Sequence, residues 1–329
     1  MLKWLFIFFA FTLLSCSASR HTARWVLLPD TQAYAESFPE VLDSQVNYIL
    51  REKQHIDLVL QQGDLTQNNN DKEWKVVQTA FQKLDQQLPY VLALGNHDMG
   101  SADGKFADVR NTEKYNQYFP FNKQSSLAAF AGSFEEGKTD NSFYKLKKGK
   151  YKWLVLSLEF GPRDTVLNWA NEIIRRHADH TVILNTHSYM YFDSTRQGPG
   201  DNWRPQAYGV GKDRGDSSVN DGEQIWNKLV RIHPNVRFVF SGHVLTTGVG
   251  NLVSINDHGY PVYQMLANYQ PGVKGSVKGG NGWLRIVDLD MKKNTVRVRT
   301  YSPFINEYKL EPGHDFVIKN AMTGPGQYQ

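Results

Sequence analysis

The stretch Tyr90-Val91-Leu92-Ala93-Leu94-Gly95-Asn96-His97-Asp98 decides how this chain is read. Its five leading residues form a continuous apolar run, which suits a strand buried on both faces, and Gly95 stops it. The three residues after the glycine are unusual for a turn. Asn96, His97 and Asp98 set an amide, an imidazole and a carboxylate side by side, the groups that bind metals and move protons.

The same arrangement recurs outward in both directions. Asp57-Leu58-Val59-Leu60 reads as a buried strand stopped by Gly63-Asp64, and Trp25-Val26-Leu27-Leu28 as another, ending at Pro29-Asp30. Downstream, Trp153–Leu156 reads as a strand. Thr181–Leu184 ends at Asn185-Thr186-His187, and Val236–Phe240 at Ser241-Gly242-His243. Between them the apolar spacing predicts helices over 38–54, 71–87, 164–177 and 221–232. Strands alternating with helices imply βαβ units and a largely parallel sheet core, with ligands at the carboxyl ends of the strands. Asp30, Asp64, Asn96, His97, Asp98, His187 and His243 are therefore expected to converge, although they span more than two hundred positions. One such strand end is ordinarily just a turn or a cap. Five of them, each bearing a ligand or acid–base residue, call for a common site.

Composition narrows the alternatives. With 329 residues, 40% of them hydrophobic, the chain can bury a large core and is not intrinsically disordered. A net charge of +4 is too small and too dispersed for a nucleic-acid partner. One Cys excludes a disulfide framework or a Cys-rich zinc module. Neither a Gly-x-Ser-x-Gly elbow nor a P-loop is present, so serine-hydrolase and nucleotide-kinase chemistry lack support.

The first sixteen residues read separately. Met1-Leu2-Lys3 followed by the apolar run Trp4–Leu14 fits a secretory signal, too short to span a bilayer. The lone Cys sits in Leu13-Leu14-Ser15-Cys16, which resembles a bacterial lipobox. The expectation is a signal peptide over 1–15, a tether over 16–23 beginning at a lipidated Cys16, and one domain over 24–329 with a β-rich C-terminal part. The protein would be exported and lipid-anchored, at the bacterial outer membrane or the cell surface or periplasm, touching the membrane through that lipid alone.

Read together, Asp30-Thr31-Gln32, Gly63-Asp64, Gly95-Asn96-His97-Asp98, His187 and Gly242-His243-Val244-Leu245 resemble the ordered motifs of the calcineurin-like metallophosphoesterases. The resemblance implies an α/β sandwich of two mixed sheets flanked by helices. It implies hydrolysis of a phosphomonoester or phosphodiester by metal-activated water, with two divalent ions drawn from Mn, Fe, Zn or Mg. Asp64 would bridge the ions, and Asn96, His187 and His243 would complete the second ion's set. The first ion would be left with Asp30 and Gln32, because the family has histidines where this chain has Gln32 and Leu245. An unequal pair is expected, the first ion being the weaker. His97 would be the leaving-group acid, with Asp98 orienting its imidazole. The alternative is a non-catalytic or mononuclear lipoprotein that binds a ligand on the same scaffold.

Residues 188–220 break the pattern with five glycines, three arginines and little periodicity, which suits a substrate-facing loop. Arg196 and Arg204 either clamp a phosphate or are ordinary surface arginines. Trp203 and Tyr208 either stack on a substrate ring or pack the loop. Asn268-Tyr269-Gln270 either approaches the site or merely joins two strands.

Overall fold

The computed structural model describes residues 21–321, so the signal segment and Cys16 lie outside the described residues. The chain opens with β1 (Thr22–Leu28), α1 (Gln32–Ser37), α2 (Pro39–Arg51), β2 (Leu58–Gln61), α3 (Asp71–Phe81) and β3 (Tyr90–Leu92). It continues through α4 (Glu113–Tyr118), α5 (Phe121–Gln124), β4 (Phe130–Ser133), β5 (Ser142–Lys148), β6 (Tyr151–Leu158), α6 (Asp164–Arg176) and β7 (Thr181–Thr186). After α7 (Gly222–Ile225) come β8 (Val236–Ser241), β9 (Val249–Ile255), β10 (Pro261–Ala267), β11 (Leu284–Asp290), β12 (Thr295–Ser302), β13 (Glu307–Lys309) and β14 (Phe316–Lys319).

These strands make two seven-stranded mixed sheets. In the first, β1, β2 and β3 run parallel, and β11 pairs antiparallel with β1 to begin an antiparallel flank of β11 to β14. In the second, β6, β7, β8 and β10 run parallel, between antiparallel β4–β5 on one side and β9 on the other. The β-rich C-terminal part therefore completes both sheets. Strands β9 and β10 join one, and β11 to β14 join the other.

The apolar runs explain the layering. Alternate side chains of a strand face opposite ways. From β1, Trp25 and Leu27 face the partner sheet while Val26 and Leu28 face α1–α3. From β6 and β7, Val155 and Ile183 face inward while Leu156 and Leu184 pack under α6 and α7. Trp25 anchors the inter-sheet core, edge-on to Trp153 (centroids 6.0 Å) and Phe238 (5.5 Å). Each such contact adds about 0.5–1.5 kcal/mol beyond area burial.

At the carboxyl ends of the parallel strands this greasy filling gives way to polar stitches between the sheets. Asn185 Nδ2 donates to the Gln61 carbonyl (2.9 Å), Gln62 Nε2 to the Ser241 carbonyl (3.0 Å) and Ser157 Oγ to the Leu92 carbonyl (3.0 Å). They hold the two edges together where the motifs emerge.

Two helical expectations change in detail. The helix expected over 38–54 is preceded by α1, because Gln32–Ser37 already coils directly after the β1 turn. The helix expected over 221–232 is one α-turn, capped by Asp221, that widens into a π-turn over Trp226–Val230. No helix among the described residues is long and apolar enough to cross a membrane.

Candidate metal centre

The ligand-type atoms of Asp64, His187 and His243 lie within 4.8 Å of one another, and all three residues are buried. Backbone geometry puts them there. Gly63, at φ +94°, turns the chain after β2, and a Cβ on it would lie 2.4 Å from the His187 ring. Gly95 and Gly242 leave room for carboxylates, since a Cβ would sit 2.0 Å from Asp64 Oδ1 and 2.1 Å from Asp30 Oδ1 respectively. Asp64 itself adopts φ +50° and His243 φ +73°, conformations that side-chain-bearing residues rarely hold.

The hydrogen bonds fix which imidazole nitrogens carry lone pairs. His187 Nδ1 faces the Gln62 carbonyl at 2.8 Å and donates to it, so Nε2, 3.1 Å from Asp64 Oδ2, is the nitrogen that would offer its lone pair to a cation displacing its proton. His243 Nε2 donates to the Trp203 carbonyl (2.7 Å), leaving Nδ1 as the acceptor. Asn96 Oδ1 and His187 Nε2 are buried without a hydrogen-bond partner. Buried polar atoms without a partner are unfavourable, and a cation held by Asp64, His187 and His243 would give them one.

The charges respond accordingly. Burial works against the His187 cation, but the Asp64 and Asp30 carboxylates raise its pKa to about 9. Asp64 resists burial because His187 and His97 hold its carboxyl far below the ordinary range. Burial and the His187 charge push His243 down to about 3. Asp30 is raised by burial to about 7, with His187 opposing.

His97 is half-buried at the rim. Its backbone N–H donates to Asp64 Oδ1 (3.0 Å) and its Nδ1 to the Gln67 carbonyl (2.6 Å), so Nε2 points away with its lone pair available. Asp98 does not orient this imidazole. Its carboxylate accepts from the backbone N–H groups of Leu65 (3.0 Å), Thr66 (2.9 Å) and Gly95 (2.9 Å), and so staples the Asp64 turn to the Asn96 turn. Burial and nearby Asp64 raise its pKa to about 6. The group that orients His97 is a backbone carbonyl, which no side-chain pattern could announce.

Asp30 and Gln32 lie beside this cluster, both buried. Gln32 Oε1 has no hydrogen-bond partner, whereas Asp30 accepts from Asn268 Nδ2 and Gln270 Nε2, both at 2.9 Å. The segment after β10 thus reaches the site. Its signal in the sequence is the one shared by the other motifs, polar residues where a buried strand stops.

The loop 188–220 covers the centre but does not offer its arginines to it. Arg204 donates from Nε and Nη2 to buried Asp221 (3.1 and 2.6 Å). Arg196 stacks over Trp226 at 4.5 Å and donates to Glu223 (2.9 Å) and Ser254 (2.9 Å). Both hold the loop together, so neither is positioned as a phosphate clamp. The loop's aromatics divide. Tyr189 is fully buried, whereas Tyr208 lies half-buried with its ring 6.1 Å from that of His243 and 5.1 Å from Phe160. On the opposite rim Phe106 stacks on His97 with centroids 4.0 Å apart. No sequence pattern points to Phe106. The two rims meet where Val210 N–H donates to the Ala107 carbonyl (3.0 Å).

Comparison with known proteins agrees with this geometry. Residues 24–246 match the family described as calcineurin-like phosphoesterase. The chain is 27% identical over 292 residues to the uncharacterized protein YvnB of Bacillus subtilis (strain 168), an alignment covering 86% of this chain and 20% of that protein. The fold resembles the purple acid phosphatase PPD1 from seeds of yellow lupin (Lupinus luteus). That likeness has a TM-score of 0.55 at 14% identity, covering 91% of this chain and 54% of the other.

Proposed function

The chain belongs to the calcineurin-like phosphoesterase family, and from that premise we propose that it hydrolyses a phosphomonoester or phosphodiester outside the cytoplasm. Membership makes it a phosphoesterase that uses divalent metal and acts on a phosphorylated substrate. The observation that carries the finer reading is the buried cluster of Asp64, His187 and His243, together with the unpartnered amide oxygen of buried Asn96. That donor set suits a divalent ion of the Mn, Fe or Zn type, since it mixes imidazole with oxygen. Such an ion supplies charge neutralisation for the phosphate and lowers the pKa of a water at neutral pH.

The chain's own residues do the rest. Gln62 and Trp203 hold the two imidazoles as ligands through their carbonyls. The Asp98 staple keeps Asp64 and Asn96 facing each other. His97, its Nδ1 fixed by Gln67, offers Nε2–H to the leaving oxygen when protonated. Phe106 against His97 and Tyr208 near His243 would meet an apolar or aromatic part of a substrate.

The test is His97→Ala, assayed on a series of phosphate esters of falling leaving-group pKa. Turnover of poor leaving groups should drop by ~10²–10⁴-fold, and good ones much less. An equal loss on both would remove the acid role. Absence of turnover across the series, with a ligand still bound, would favour the binding lipoprotein instead. The same proposal has the chain tethered by a lipid on Cys16, for which the support is the sequence of residues 1–16 alone. Labelling with a fatty-acid analogue, lost on Cys16→Ser, checks it.

A further inference from the structure

Asp30 stands where a first ion would need a ligand, yet its carboxylate already has donors on it. Both oxygens accept from the His243 backbone N–H (3.1 Å each), and Oδ2 also accepts from Asn268 Nδ2 and Gln270 Nε2 (2.9 Å each). The direction of the Asn268 amide is determined. Its Oδ1 accepts the Gln270 backbone N–H (3.1 Å), so the NH₂ group has to face Asp30. A carboxylate offers about four lone-pair directions, and these donors take most of them.

The neighbouring position is closed too. Leu245 packs on the turn at Gly272, where an added Cβ would lie 2.9 Å from Leu245 Cδ1. Asn268, Gln270 and Gly272 belong to one short segment after β10. A single stretch of chain therefore supplies two of the three donors on Asp30, both to Oδ2, and also receives the leucine. What remains for an ion there is one lone-pair direction on Asp30 Oδ1, the unpartnered Gln32 amide oxygen and a share of Asp64. Hard cations take six or more oxygens, and zinc takes four ligands, so this set is poor for either.

Resting on the phosphoesterase reading above, we infer that the segment Asn268–Gly272 has taken the place of the first ion. Its two amides satisfy Asp30 Oδ2 by hydrogen bonding, and the enzyme works with one ion, held by Asp64, Asn96, His187 and His243. The family's two-ion arrangement becomes one ion beside a hydrogen-bonded brace.

Metal stoichiometry tests this without reference to activity. The full chain is purified without chelator, soaked in excess Mn²⁺ and in parallel Zn²⁺, desalted and analysed for metal. One equivalent is expected, falling to none in His187→Ala. Asn96→Ala, which opens a smaller cavity, should also weaken retention and serves if His187→Ala does not fold. Two equivalents in the wild type, or one equivalent that survives both substitutions, would overturn the inference. No metal under any of these conditions would instead remove the phosphoesterase reading on which it rests.

Discussion

The edge where the parallel strands end has two halves built from the same residue types. Around Asp64 one backbone N–H, that of His97, donates to Oδ1, and the side chains that face it are imidazoles able to offer lone pairs, His187 through Nε2 and His243 through Nδ1. Around Asp30 the neighbours are donors: two side-chain amides and a backbone N–H. Both carboxylates are buried at the ends of adjacent strands of one sheet. The difference teaches that a buried carboxylate is not by itself a ligand. Burying it unpartnered is expensive, so something must satisfy it, and whether that is an ion or an amide depends on what faces it.

Substitutions on the two sides should therefore fail differently. The largest effect is expected from Asp64→Asn, which keeps the shape and removes the charge. Turnover should fall by ~10³-fold or more, several kcal/mol of lost charge stabilisation, and bound metal should fall with it. Retained metal with lost activity would break the comparison, because Asp64 would then act on substrate alone.

On the other side, Asn268→Ala should chiefly affect folding. Removing one donor from buried Asp30 is worth about 1–3 kcal/mol, read as a lower urea midpoint at unchanged slope. Metal content should stay as in the wild type. Arg196→Ala lies outside both halves. The loss of its Glu223 pair and its stack on Trp226 should lower the melting temperature by about 2–4 °C per kcal/mol, while KM stays within about twofold. A rise in KM of tenfold would return this arginine to the substrate.

The smallest expected effect comes from two histidines that face neither carboxylate, His233 and His314. Burial, with Arg175 and His258 nearby, holds His233 down to about 4, and burial with Arg285 does the same for His314. Both are neutral in the native state and have ordinary values of 6.5 unfolded. Between pH 6.5 and about 4 the unfolded chain binds the extra protons, so stability is full above that window and declines as pH falls through it. His233→Gln should flatten part of that decline in chemical denaturation at stepped pH. An unchanged slope would assign the decline to the carboxylates.

The legible part of the molecule rests on periodicity and punctuation. Trp25–Leu28, Leu58–Leu60 and Val182–Leu184 announce strands buried on both faces because they are apolar without alternation, and the residues after them become the site. Strands β4 and β5 carried no such signal: β5 mixes lysines with aromatics along a half-exposed flank, and β4 is only partly buried throughout. The arginines of residues 188–220 looked available because their partners, Asp221 at the cap and Glu223 in the first turn of α7, lie in a stretch that sequence presents simply as polar. Asp98 looked like a partner for the adjacent imidazole, but in a tight turn its side chain reaches back to backbone N–H groups instead.

By itself the sequence determined where the buried parallel strands stop, and hence that Asp30, Asp64, Asn96, His187 and His243 belong to one edge. That information is local, because apolar runs and glycines act on their own neighbours. Only the tertiary structure decided what each group meets there. The His187 tautomer depends on a carbonyl 125 positions away, and the Asp30 donors come from 238 and 240 positions downstream. A hydrogen bond has a direction as well as a partner, and its direction exists only once the two sheets are packed.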